Sequence, residues 1–361
     1  MKKFIAIAAA ALCTACLTFT ACSMGAKGDY WNGNTVPPAG LPDTGADASS
    51  PNYDYNPIIE TDFQEVSKAP SSYFSLDKNT ATYSLVRKQI NAGYTIFPDS
   101  IRIEEMINYF DYDFAAPTDK AVKVSGYLSD CPWNSENKLL LAGIRTAEYK
   151  VDTAVNNYVF LIDVSGSMQG KDRIDLAKYG LKKLVDSLGE NDMVSIVTYA
   201  SGVNTVLDSG ECSPLNKENI KAKIDGLVAR GATNGGDGLQ RAYNLAQKNF
   251  RQGGNNRVIL ISDGDFNVGM TSQTELKEFI QDKADTGVYL SVLGVGLGNM
   301  RDTTLETLAT CGNGNYAYLD TKTEAEKVMV EELGGLLKTV AKDAKAGVTF
   351  TDSVEKYRLI G

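Results

Sequence analysis

Histidine is absent from all 361 residues. That absence excludes triads and dyads that use imidazole as general base, and zinc sites built on imidazole. Cysteine is sparse: of six, Cys13, Cys16 and Cys22 crowd the start, leaving Cys131, Cys212 and Cys311 far apart and odd in number. Those three show no C-x-x-C spacing, so a thiolate metal centre is not expected and one disulfide is the most they permit. Buried small hydrophobes are the simpler role for them. The phosphate-loop pattern G-x-x-x-x-G-K-[ST] is missing too, so no nucleotide is expected to bind through it. Basic residues are outnumbered, 36 against 45, for a formal charge of −9 that becomes −11 if Lys2 and Lys3 leave with a cleaved leader. Such a balance repels nucleic acid and anionic surfaces and favours divalent cations or basic partners.

What is present begins with an address. Lys2 and Lys3 precede 16 uncharged residues, Phe4 to Phe19, followed by small residues. A spanning helix needs about 20 apolar residues, so residues 1–21 read as a secretory signal peptide. The segment Phe19-Thr20-Ala21-Cys22 resembles a bacterial lipobox, which implies lipidation of Cys22, a membrane anchor and an extracytoplasmic place in the cell envelope. Plain secretion after a small-residue site is the other reading. Residues 22–57 hold five of the ten prolines amid Gly, Asn, Asp and Ser, the composition of a flexible linker.

Two folded regions are expected after it. In residues 58–150, SLDKNTATYSLVRKQINAG has helical spacing and PDSIRIEEMINYFDYDF opens on a helix-start signal. AVKVSGYL and KLLLAGIRT read as strands, giving a smaller α+β domain. The aromatics Tyr109, Phe110, Tyr112 and Phe114 are better explained by packing than as a ligand box. Residues 151–342 alternate strand and helix, and continuous apolar runs such as VFLI, VILI and LSVLGV suit strands covered on both faces. The fold class is α/β: a doubly wound, mostly parallel, Rossmann-like sheet.

In such a sheet, ligands bind beyond the carboxyl ends of the strands. Asp163 stands where FLID ends, and in an extended loop the period of two turns Asp163, Ser165 and Ser167 to one side. Thr233 in the loop RGATNGGDG and Asp263 at the end of ILISD fall where they could reach the same crevice. Oxygen donors with no sulfur or imidazole suit Mg²⁺, with Mn²⁺ or Ca²⁺ as substitutes. Taken alone, D-x-S-x-S is equally a turn whose Asp or Ser caps a helix. Asp265 reads as a turn residue in preference to an outer partner of the metal ligands, Gly235 and Gly236 either permit close backbone approach in the threonine loop or are simply turn glycines, and Lys171 and Arg173 read as a solvated helix start.

Together, D-x-S-x-S at residues 163–167, Thr233 in GATNGG and Asp263 in SDGDFNVG resemble the metal-ion-dependent adhesion site (MIDAS) of von Willebrand factor type A (vWA) domains. RIEEMINYFDYDF, CPWN, GNGNYAYLD and KYRLIG are further similar to a bacterial subfamily of envelope lipoproteins with a dedicated domain before the vWA domain. In that subfamily a further segment follows KYRLIG, so residues 343–361 are expected to start a truncated C-terminal segment. The resemblance implies that Ser165, Ser167 and Thr233 are hydroxyl ligands and Asp163 and Asp263 the carboxylates. It also implies that the metal binds an Asp or Glu carboxylate of a protein partner.

The expected function is therefore a non-enzymatic envelope lipoprotein that binds protein through a divalent metal. The competing reading is a Mg²⁺-dependent hydrolase or phosphatase using Asp163 as nucleophile. Against it, no lysine or carboxylate pair is spaced to act as general base. Partnership with a cytosolic nucleotide-driven chaperone or chelatase is a third reading, opposed by the leader.

Overall fold

The computed structural model describes residues 55–76, 78–147, 155–233, 236–264, 273–298, 300–333 and 344–360. Before the main sheet come β1 (Gln64–Glu65), β2 (Ser71–Ser75), α1 (Ala81–Asn91), α2 (Ile103–Asn108), β3 (Val122–Asp130) and β4 (Lys138–Thr146). Then follow β5 (Asn156–Asp163), α3 (Ile174–Ser187), β6 (Met193–Tyr199), β7 (Val203–Glu211), α4 (Pro214–Asp225), α5 (Gly236–Lys248), β8 (Asn255–Ser262) and α6 (Gln273–Asp285). The order closes with β9 (Val288–Val295), α7 (Asp302–Cys311), β10 (Tyr316–Leu319), α8 (Lys322–Glu326), β11 (Lys345–Thr349) and β12 (Lys356–Tyr357).

Six strands form the central sheet in the order β10-β9-β8-β5-β6-β7. All neighbours run parallel except β7, an antiparallel edge strand with two register shifts against β6. Every residue of β5 and β8 is buried, as expected of apolar strands covered on both sides. Alternation then sorts their side chains between two cores. Tyr158, Phe160 and Ile162 join Leu181 and Leu184 of α3 on one face. Val159 and Leu161 join Leu239 and Tyr243 of α5 and Leu305 of α7 on the other. Each fully buried aliphatic side chain of this kind contributes about 1.5–3 kcal/mol, so the two cores fix the sheet that carries the crevice.

The helical segment after β10 changes pitch along its length. Thr321 caps α8, its hydroxyl accepting from Glu324 N at 3.1 Å, and the chain then takes one wider π-helical stretch over Lys327–Glu332. Residues 334–343 lie outside the described residues.

Helix α1 extends this fold by lying along β10. Thr80 N donates to Tyr316 O (3.1 Å) and Ser84 Oγ to Tyr318 O (2.7 Å), while Ala81 and Leu85 enter the second core. Arg87 grips Asp320 through two bonds of 2.7 Å and reaches Glu324 at 2.9 Å. Tyr109 OH also donates to Glu324 (2.6 Å). Next to this, Arg102 of the turn before α2 binds both Glu105 and Asp302. The aromatic series packs as a ladder: Tyr83 on Tyr109 at 4.2 Å, Tyr112 on Phe114 at 5.4 Å, Phe114 on Tyr127 at 5.7 Å. Strands β3 and β4 form a hairpin of their own, and β11 and β12 return to pair antiparallel with β2 and β1. Cys131, Cys212 and Cys311 are free thiols, the first two buried. Among the described residues, no helix is long and apolar enough to cross a membrane.

Candidate functional site

The carboxyl ends of β5 and β8 lie side by side, with Ile162 paired to Ile261, and each strand delivers an aspartate there. Asp163 is fully buried and Asp263 is 1% exposed. Beyond Asp163 the chain turns off the sheet: Ser165 is extended and Gly166–Met168 make a single 3-10 turn. Met168, completely buried, plugs the turn into the first core. Ser165 N donates to Asp163 Oδ1 at 2.8 Å, which is how an aspartate fixes its own turn. Ser165 Oγ and Ser167 Oγ then stand 2.9 Å apart.

The threonine loop is bonded to this turn twice. Arg230 N donates to Val164 O (2.7 Å), and Gly166 N donates to Gly231 O (2.8 Å). Gly231 has φ +88°, a conformation glycine adopts without strain, and a methyl group there would lie 2.7 Å from Ser201 Oγ. Thr233, half-buried, follows two residues later. From the other side Ser262 Oγ donates to Asp163 Oδ2 at 3.3 Å and accepts from Gly264 N at 3.1 Å. The structure thus sets Asp163, Ser165 and Ser167 in one turn, ties the Thr233 loop to it, and ends the adjacent strand on Asp263. Cys22, Asp265 and Gly235 lie outside the described residues.

Burial pushes the Asp163 carboxyl up to about 6. The hydrogen bonds from Ser165 and Tyr199 oppose that rise, and the charge of nearby Asp263 adds to it. Tyr199, wholly buried, is pushed well above its ordinary range, by burial first and then by the Asp163 charge. A second carboxylate beside a buried one makes the pocket attractive to a cation. Among the described residues, no three His, Cys, Asp or Glu side chains cluster to hold a metal. Two carboxylates and three hydroxyls are hard donors, and that set fits a small divalent ion.

Sequence reasoning passed over two residues and misjudged a third. Ser262 and Tyr199 support Asp163 from neighbouring strands, and only the sheet register reveals them. Arg173 corrects an expectation. Lys171 is exposed as a solvated helix start requires, but Arg173 is half-buried and donates through Nη1 to Ser167 O. Its neighbour Asp172 pairs with Lys88 of α1 at 3.3 Å.

The parallel sheet and its oxygen-lined crevice define a doubly wound α/β domain of the vWA kind. Residues 157–332 match the von Willebrand factor type A domain family, and residues 49–141 match a family described as von Willebrand factor. The chain therefore carries a vWA domain, preceded by a region that matches the second family. It is 40% identical over 319 residues to the uncharacterized protein YfbK of Escherichia coli K12, covering 86% of this chain and 54% of that one. Inter-alpha-trypsin inhibitor heavy chain H3 of Mesocricetus auratus is 29% identical over 164 residues, covering 44% of this chain and 18% of the relative. The chain thus spans about half the length of the first relative and a fifth or less of the second. Among solved structures, proximal thread matrix protein 1 of the mussel byssus, with a zinc-occupied MIDAS motif, matches with 20% identity and TM-score 0.40 over 54% of this chain and 47% of its own.

Proposed function

We propose that the chain is a cell-envelope lipoprotein, anchored through Cys22, that binds a protein partner through a divalent cation at Asp163, Ser165, Ser167, Thr233 and Asp263. The observation that carries it is the buried Asp163, whose neighbours are a backbone N–H, hydroxyls and a second carboxylate. Mg²⁺ is the expected ion, and Mn²⁺ or Ca²⁺ its substitutes. Ser165 and Ser167 present hydroxyls from one turn, Thr233 a third from the loop bonded to it, and Asp163 and Asp263 supply the negative charge. A bound divalent ion would offer a Lewis-acidic position to an incoming carboxylate, because hydroxyls add no charge and the two aspartates at most balance it. The partner accordingly offers an Asp or Glu side chain.

The test is a pull-down from envelope extract by the wild type and by Asp163→Ala, with and without chelator. Capture that needs both the divalent ion and Asp163 supports the proposal; capture indifferent to both refutes it. Radiolabelled palmitate incorporation, absent in Cys22→Ala, tests the anchor.

A further inference from the structure

The guanidinium of Arg173 lies where three backbone segments meet. Its Nη1 donates to the carbonyl of Ser167, the last hydroxyl-bearing residue of the metal turn. Its aliphatic stem and Nε lie on Gly296, immediately after β9: a methyl group there would be 2.6 Å from Nε, 2.8 Å from Cγ and 3.0 Å from Cδ. A methyl on Gly298 would lie 3.1 Å from Nη2. Gly296 has φ +71°, so this approach depends on glycine twice, for the backbone angle and for the missing side chain. Arg173 N also donates to Gly170 O (3.3 Å), which closes the same loop on itself.

We propose that Arg173 is a positioning residue for the cation site. By holding the Ser167 carbonyl against the loop that follows β9, it fixes the turn in which Ser165 Oγ and Ser167 Oγ lie 2.9 Å apart. Without it, the segment between Met168 and Ile174 loses its link to β9. The two hydroxyls must then be ordered by the ion itself, which weakens binding. Outer partners of this kind typically alter metal affinity by about 10–100-fold. The planar fork and its contact with Gly296 make the role specific to arginine, not merely to positive charge. The two sides of the contact are separately testable, because Gly296→Ala expels the same guanidinium without touching the metal turn.

The proposal rests on the cation site proposed above, and the experiment separates the two. Mn²⁺ affinity is measured by calorimetry for the full chain as wild type, Arg173→Ala, Gly296→Ala and the double variant, with melting temperatures taken in chelator. The expected result is a loss of at least about tenfold in affinity for each single variant, and no further loss in the double. If wild type binds Mn²⁺ and Arg173→Ala stays within twofold of it while only the melting temperature falls, the role is structural and this proposal is overturned alone. If wild type binds no divalent ion, the cation-site reading fails and this inference falls with it.

Discussion

Glu105 and Asp163 are both buried carboxylates with a second buried carboxylate nearby, Asp302 in one case and Asp263 in the other. Around Glu105 the fold provides Arg102, which bonds Glu105 and Asp302 at once, and Thr82, which donates both its backbone N–H (2.8 Å) and its hydroxyl (2.7 Å). Around Asp163 the partners are neutral: Ser165, Ser262 and Tyr199. The first cluster carries its cation in the chain and holds α1, α2 and α7 together. Around Asp163 the second has neutral hydroxyls where the first has an arginine. The difference fits the proposed cation site: an added ion has its place where buried acid meets only neutral donors, not where a guanidinium already compensates it.

The comparison breaks most visibly at Arg102. Arg102→Met leaves Glu105 and Asp302 buried without their shared counter-charge, and urea denaturation should register a loss of about 3–5 kcal/mol. The change at the other cluster should cost less stability and more binding. Asp163→Ala removes one of two neighbouring acids but also the acceptor of the Ser165 N–H, so the chelated protein should lose less stability than Arg102→Met does. Calorimetry should nevertheless show divalent-ion affinity falling by more than about 100-fold, or about 2.7 kcal/mol.

A finer distinction is pH. Burial, opposed by the Arg102 charge and hydrogen bond, raises Glu105 from its ordinary 4.5 to about 7. The folded state therefore binds this proton more tightly than the unfolded state. Its stabilising contribution is complete below about pH 4.5 and is lost as pH rises through about 7. Denaturation midpoints measured from pH 4 to pH 8 should show this decline, and Glu105→Gln should flatten it. The smallest effect lies at the α8 cap, beside Glu324 of the Arg87 cluster. Thr321→Ala should cost about 1 kcal/mol in the same assay and leave divalent-ion affinity unchanged.

Much of the fold could be read from the chain because buried parallel strands write themselves as uninterrupted apolar runs. VFLI and VILI gave the sheet centre, and their terminal aspartates gave the crevice. Asp163, Ser165 and Ser167 were legible because one turn contains them, and Thr233 and Asp263 because the strand order brings their loops together. What stayed hidden depends on distance along the chain. Ser262 is 99 residues from the carboxylate it supports, and Arg102 is 200 from Asp302. Arg173 was misread for a different reason: a charged residue at a helix start normally faces water, and only the bare backbone of Gly296 makes room for it. The pairing of β11 with β2 was also invisible, since both strands are short and mix polar with apolar residues.

That last pairing bears on the order of assembly. Ser71 and Thr349, whose hydroxyls meet at 2.9 Å, are 278 residues apart. Closing so long a loop costs entropy that five short rungs and a two-residue partner pair repay poorly on their own. The sheet between them has to draw the two segments near before they can join. These four strands are therefore expected to join last, like a latch closed over a central domain that has already formed.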